Sequence, residues 1–368
     1  MNVNIDLIGQ NGGQGDVAAM LAANGRMDPG SYRPYVNPKD GKSYITAFKG
    51  GDAKKPENYT AVAVPQTNAT LRRDEWKQLD EALIPISESR LNGVKDLIDK
   101  GLVYNLTNAM GTTVLEYHDV SDALEAGLTM DGITRTKGDR VEYTTNYMPI
   151  PIIHVDYEIN ARVLAASRSL GNPLDTTMAE RAARKVAEKL ESMLFTNTTY
   201  GYGGGTIYSY LNAPCRNQVT MVEAWDDSSK TSREILDEVL DMKQAAIDAY
   251  HFGPFMLYIP TSYETVLDED YEDTASVSTN RTVRERILQI ANIEGIKVID
   301  TLPDDNVLMV QMTSDVVRLV RGMGIQNIQW QTEGNFVNKF KVITIQVPQV
   351  RADQDCHSGV VQLAKSFA

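Results

Sequence analysis

The clearest pattern of apolar and polar positions lies between Pro149 and Phe195. Over residues 153–160, Ile153, Val155, Tyr157 and Ile159 alternate with His154, Asp156, Glu158 and Asn160. This period of two predicts a strand with one covered face and one face in water. Asn172 then offers a helix cap, Pro173 a preset dihedral and Asp175 a negative charge in the first turn, so a helix is predicted from Pro173 onward. Along it Met178, Ala182, Val186, Leu190 and Leu194 recur every four residues, flanked by Ala179, Ala183 and Ala187. Glu180, Arg181, Arg184, Lys185, Glu188 and Glu191 take the other sides. The alanines permit close packing, which predicts a backbone helix lying across a sheet.

The same reading extends along the chain. Residues 71–86 form a predicted helix on Trp76, Leu79 and Leu83, with Pro85 near its end, and 90–99 continue with Leu91, Val94, Leu97 and Ile98. Residues 110–148 make a long polar excursion with a tip at Lys137, Gly138, Asp139 and Arg140 and a returning strand over 140–147. That is a projecting hairpin, and a two-stranded ribbon is marginal in water, so it should lean on another surface. The glycine run 201–205 reads as a turn between lobes. A helix capped by Ser232 is predicted over 232–250, a buried strand over 255–259, a helical turn over 263–267 and a helix over 283–291. Strands at 296–300, 307–312 and 316–320 make this lobe mixed α and β. The alternating segment 339–347 and the apolar strand 360–364 are expected to return to the sheet beside the backbone helix.

Composition changes the picture at the N-terminus, where residues 1–70 hold 9 Gly and 5 Pro of the 26 and 14 in the whole chain. That bias predicts an arm without its own core, held by another subunit. Gly13, Gly15 and Ala18 fit a dinucleotide fingerprint, but no second strand ending in an acidic residue follows, and Gly41-Lys42-Ser43 lacks the upstream glycine of a phosphate loop and reads as a turn. The net charge is −13, and residues 226–305 alone carry 18 acidic against 7 basic side chains, or −11. Bulk attraction to nucleic acid is therefore absent. No apolar run approaches the roughly 20 residues that span a bilayer and no signal peptide is evident, which predicts a cytoplasmic protein. Cys215 and Cys356 lie far apart in sequence and are expected to be reduced thiols.

Candidate chemistry is sparse. His118, His154, His251 and His357 lack the close spacing of helical metal ligands. His357 beside Cys356 is not the spatial pairing that a Cys/His nucleophile needs, and no serine sits in a nucleophile elbow. No cofactor site and no enzymatic activity are predicted. Asp268, Glu269, Asp270, Glu272 and Asp273 place oxygens at positions one, three and five of a calcium loop, but Asp273 stands where Gly is required and Thr279 where the final Glu is required. The run reads as a solvated acidic loop, which copies meeting at a symmetry axis would gather into an acidic ring at a pore.

The order of these elements resembles the major capsid proteins of tailed bacteriophages and the related encapsulin shell proteins. Its carriers are the helix Leu71-Arg-Arg-Asp-Glu-Trp76-Lys-Gln-Leu-Asp80, the loop 110–148, Pro149-Ile-Pro-Ile-Ile-His-Val-Asp-Tyr-Glu-Ile159, the backbone helix 173–195 and Gly253-Pro-Phe-Met-Leu-Tyr-Ile-Pro260. The resemblance implies an α+β fold with an N-terminal arm (1–70), a peripheral domain (71–111, 150–206 and 335–368), an extended loop lying over a neighbouring subunit (112–149) and an axial domain (207–334). It implies a major capsid protein that self-assembles into hexamers and pentamers of an icosahedral phage head around double-stranded DNA, in the virion and assembled in the host bacterial cytoplasm. Its partners would be many copies of itself, with scaffold, portal and decoration proteins. The alternative is an encapsulin-type nanocompartment enclosing an enzyme cargo; the 70-residue arm favours the phage reading. Some relatives cross-link a loop lysine to a neighbour's asparagine. Lys137 is in a suitable place, but without a matching asparagine and acid the expectation is noncovalent interlocking.

Overall fold

The computed structural model describes residues 33–49, 55–63, 71–90, 92–120, 130, 143–170, 176–272, 278–333, 336–353 and 355–367. In chain order the elements are β1 (Tyr35–Val36), β2 (Ser43–Phe48), β3 (Tyr59–Ala63), α1 (Arg73–Arg90), α2 (Asn92–Asp99), β4 (Val103–Asn105), β5 (Val114–Val120), β6 (Tyr143–Pro149) and β7 (Ile153–Asn160). Next come α3 (Ala161–Leu170), α4 (Thr177–Phe195), β8 (Tyr200–Tyr202), β9 (Gly205–Ile207), β10 (Asn217–Thr220), α5 (Ser232–Asp248) and β11 (Phe255–Pro260). The one-turn helix α6 (Glu264–Leu267), β12 (Asp270–Glu272), β13 (Ser278–Thr282), α7 (Val283–Leu288), β14 (Ile293–Ile299), β15 (Asn306–Gln311), β16 (Val317–Glu333), β17 (Val337–Val350) and β18 (Val360–Ala364) complete the chain.

Two sheets carry the fold. One has the order β4-β16-β17-β7 and the other β10-β18-β15-β11-β14. The six apolar residues of β11 put alternate side chains on opposite faces: Met256 and Tyr258 enter the core shared with α4, while Phe255, Leu257 and Ile259 enter the core under α5 and α7. Leu308 and Val310 of β15 go with the first set, Val307 and Met309 with the second. The five-stranded sheet is therefore buried on both faces.

The backbone helix α4 joins the cores. Ala179, Ala182, Ala183 and Val186 pack with Tyr157, Ile159, Phe340 and Val342 of the four-stranded sheet, whereas Ala187, Leu190, Leu194 and Phe195 face the five-stranded sheet. Met193 turns to a further cluster with Met148, Ile150 and Ile207. Fully burying each of the larger side chains contributes about 1.5–3 kcal/mol as an upper figure.

The described helix begins at Thr177 after Thr176, and the expected Asn172–Pro173 start lies outside the described residues. The helix differs from its sequence prediction in two ways. Met178 is 45% exposed, so the covered stripe begins at Ala179. Glu191, expected on the solvent side, is buried. Elsewhere Pro85 does not end its helix, since α1 runs to Arg90, and the cap of α5 is Thr231, in a reciprocal capping box with Glu234, instead of Ser232. Strand β18, expected beside the backbone helix, pairs with β10 and β15 in the other sheet. The long β16, expected to stop at Val320 within the other lobe, pairs along β17 in the four-stranded sheet. The described part of the arm rests on its own chain: Val36 N–H donates to Leu71 O at 2.9 Å, Trp76 Nε1 to Pro34 O at 3.1 Å, and Arg33 pairs with Asp80 at 2.7 Å. The Gly13/Gly15 motif lies outside the described residues.

Candidate assembly surfaces

Strands β5 and β6 form the stalk of the predicted hairpin, in register from Val114↔Pro149 to Val120↔Tyr143. Alternation in this ribbon does not hide one face. Met148 and Pro149 are buried at the root, but Tyr143, Thr144, Thr145 and Tyr147 are exposed. The ribbon therefore grows from the core cluster around Met148, Ile150 and Met193 and leaves its support as it extends. Lys137, Gly138, Asp139 and Arg140 at the predicted tip lie outside the described residues.

At the root the glycine run turns between the paired strands β8 and β9. Gly203 and Gly204 have positive φ, as a tight turn requires. Gly205 serves a different purpose: a Cβ there would stand 2.2 Å from the Tyr147 carbonyl oxygen, so only glycine lets this hairpin touch the ribbon backbone. The hairpin displays Tyr200, Tyr202 and the following Tyr208, all exposed, beside exposed Tyr147. Tyrosines that combine an apolar body with a polar tip suit a surface that becomes buried against another protein. A cavity of about 590 Å³ between the start of β7, α4 and this hairpin adds Ile152, Lys185, Lys189 and Tyr200 to the same region.

The acidic run is more ordered than a free loop. Asp268 ends α6 and accepts from Arg284 Nε at 2.8 Å. Glu269 is exposed, and its carbonyl accepts the Val283 N–H at 3.0 Å. Asp270 and Glu272 point outward from β12 on either side of buried Tyr271, and Asp273 lies outside the described residues. Strand pairing of Asp270 with Thr282, with Tyr271 as the core anchor, holds carboxylates at alternate outward positions. A run of five polar-looking letters concealed that strand.

The cysteines correct the reduced-thiol expectation. Cys215 and Cys356 form a disulfide with their Cα atoms 4.9 Å apart, because the turn after β9 and the β17–β18 connection meet although 141 residues separate them. Next to it His357 donates its backbone N–H to Asp353 Oδ1 at 2.6 Å, with Nδ1 2.7 Å from Oδ2. Among the described residues, Asp353, Asp355 and His357 bring their ligand atoms within 4.8 Å of one another and are the group that could hold a metal. The Asp353–His357 hydrogen bonds account for two of the three members, and Asp355 is exposed beside them. His118, His251 and His357, which no spacing along the chain associates, line one cavity of about 350 Å³, while His154 is on β7 beside Asp156.

Sequence reasoning missed a buried polar cluster between the two sheets. Glu191 of α4 meets the N-terminus of α2, where Gly93 N–H donates to Oε1 at 3.0 Å and Val94 N–H also donates. Burial pushes the Glu191 carboxyl up to about 7 against those donors, with Asp96 and Asp300 adding to the rise. Asp96 of α2 is buried, accepting from Lys297 Nζ at 2.5 Å and from Tyr258 OH at 3.1 Å. Burial, foremost, raises Tyr210 and Tyr258. The available signal was spacing: Ala187, Leu190, Glu191 and Leu194 share one stripe at intervals of three and four.

The sequence profile of a family described as a family of unknown function, DUF6260, matches residues 66–363. The type 1 encapsulin shell protein EncA of Myxococcus xanthus (strain DK1622) is 23% identical over 216 residues, covering 58% of this chain and 69% of EncA. The crystal structure of a virus-like particle from Pyrococcus furiosus superposes with a TM-score of 0.57 at 18% identity, over 78% of this chain and 98% of that one. The capsid of Myoviridae phage XM1 gives 0.54 at 10% identity, over 73% and 91%. The molecule has the α+β fold shared by tailed-phage capsid proteins and encapsulin shells, as its order of elements suggested.

Proposed function

The chain belongs to the DUF6260 family, and from its surfaces we propose that it is a shell subunit, the major capsid protein that builds hexamers and pentamers of an icosahedral phage head around double-stranded DNA. The observation that carries this reading is the ribbon β5–β6, rooted in the core at Met148 and exposed beyond it. Such a ribbon gains order when it lies on a second copy. In this reading 1–70 is the arm, 112–149 the extended loop with Lys137–Arg140 at its tip, 207–334 the axial region and the remainder the peripheral domain. Sheet membership refines the division: β16 travels with the peripheral sheet and β18 with the axial one. Asp268, Glu269, Asp270 and Glu272, with Asp273 beyond them, then approach the local symmetry axis as an acidic ring. The role is structural, and scaffold, portal and decoration proteins are the further partners. A net charge of −13 suits a wall that confines DNA without holding it.

A second reading, an encapsulin-type compartment around an enzyme cargo, is favoured by the likeness to EncA. Particles purified from the native source separate the two. Nucleic acid filling the particle supports the phage head; a stoichiometric enzyme inside supports the compartment. A chain that stays monomeric or dimeric at every concentration and salt overturns both.

A further inference from the structure

In a chain with 49 acidic and 36 basic residues, a guanidinium without a carboxylate needs an explanation. Strands β16 and β17 place Arg318 opposite Gln349, and Arg351 follows directly after the end of β17 at Val350. Arg318 donates through Nε to Gln349 Oε1 at 2.5 Å and lies over the Tyr104 ring at 4.6 Å. Burial, and then the nearby Arg351, depress the Arg318 guanidinium, so two positive groups face each other partly out of water. Arg351 Nε is buried without a hydrogen-bond partner, and so is Nε2 of Gln349, a residue only 3% exposed. Among the described residues no carboxylate reaches ion-pair distance of either arginine. Asp315 and Asp353 line a cavity with Arg351, but both oxygens of Asp353 are engaged by His357. Two neighbouring guanidiniums thus stand without a carboxylate, and beside them Arg351 Nε and Gln349 Nε2 stand without an acceptor, an arrangement that costs free energy until an anion arrives.

Their position indicates the source of that anion. Arg351 also lines a cavity of about 280 Å³ with Tyr117 of β5, Asn146 of β6 and Tyr208. This is midway along the described ribbon, at the Tyr117↔Asn146 pair, with exposed Tyr208 beside it. We propose that Arg318, Arg351 and Gln349 Nε2 form a receptor for an aspartate or glutamate side chain of a second copy of this chain. The occupant follows from charge complementarity: each copy carries −13, with 49 acidic against 36 basic side chains, so carboxylates are in excess. Two guanidiniums and an amide N–H match the two oxygens of one carboxylate. The proposal rests on the shell reading, since it needs neighbouring copies.

The test uses the full chain with Arg351→Gln and Arg318→Gln, singly and together, and Arg351→Lys as the charge-keeping control. Particles are followed by electron microscopy and by light scattering against urea, and dissociated subunits by thermal unfolding. The receptor predicts opposite signs. Subunits of Arg351→Gln unfold at the same or a higher temperature, because the neighbour that repels Arg318 is gone and Arg351 Nε had no acceptor to lose, while assembly of this variant and of the double variant weakens at least about tenfold; Arg351→Lys retains part of the wild-type assembly. Wild-type particles accompanied by double-variant particles of equal stability overturn the receptor alone. A parallel fall of subunit and particle stability in Arg351→Gln also overturns it, since that marks a role within the fold. Absence of wild-type particles overturns the shell reading itself.

Discussion

Replacing Glu191 by Gln should reverse its effect on stability between acid and neutral pH. The carboxyl is raised from its ordinary 4.5 to about 7 in the folded chain, so between those values the folded state holds a proton that the unfolded state has released. Stability from this site is fully present below pH 4.5 and is lost as pH rises through about 7. At about 1.4 kcal/mol per unit, that rise from 4.5 to about 7 corresponds to a penalty of about 3 kcal/mol at pH 8. Gln removes the titration and keeps an oxygen for the Gly93 N–H now 3.0 Å from Oε1. Its amide group, however, would face the same N–H that Oε2 accepts at 3.3 Å, leaving a buried donor unsatisfied at a cost of about 1 kcal/mol. The variant is thus expected to be less stable by about 1 kcal/mol at pH 4 and more stable by about 2 kcal/mol at pH 8, with the crossing near pH 5. Urea unfolding of dissociated subunits from pH 4 to 9 reads the difference directly. A difference between variant and wild type that does not change with pH would refute the reasoning, whatever its size.

Other perturbations probe the remaining joints of the fold. Gly205→Ala drives a methyl to within 2.2 Å of the Tyr147 carbonyl and should cost about 2–3 kcal/mol, with faster proteolytic nicking in the ribbon; unchanged melting and nicking would contradict the close approach. Lys297→Met leaves buried Asp96 with only the Tyr258 hydroxyl and should lower stability by about 2 kcal/mol at pH 7, less than for a fully buried pair because the lysine is half in water; urea midpoints check it. Cys356→Ser opens a loop spanning 141 residues and should lower the unfolding temperature, with a loss of stability of up to about 4–5 kcal/mol in the chain-entropy view. Reductant should then affect the wild type and leave the variant unchanged.

How far the sequence could be read depended on whether a local period was present. Strand β7 falls on the predicted residues 153–160, and β11 and α5 within two residues of theirs, because burial on one or two faces imposes regular spacing. The described part of α4 begins at Thr177, and the predicted Asn172–Pro173 start lies outside the described residues. Strand β18 is apolar at every position, so its pattern could not say which sheet would receive it. The disulfide, the approach at Gly205 and the gathering of three histidines all depend on segments far apart in sequence. Glu191 was legible in spacing and obscured by residue type, since a carboxylate is rarely assigned to a covered stripe. The acidic segment was recognised by charge, but charge could not reveal that Tyr271 pins it as a strand.

Electron microscopy of the full chain expressed alone tests the central claim most directly, with light scattering to count the species present. Closed particles of one or a few discrete diameters are expected, in whose density the β5–β6 ribbon of each subunit lies across a neighbour. A monodisperse monomer or dimer at every concentration and ionic strength, or shells in which the ribbon touches no other subunit, would contradict it.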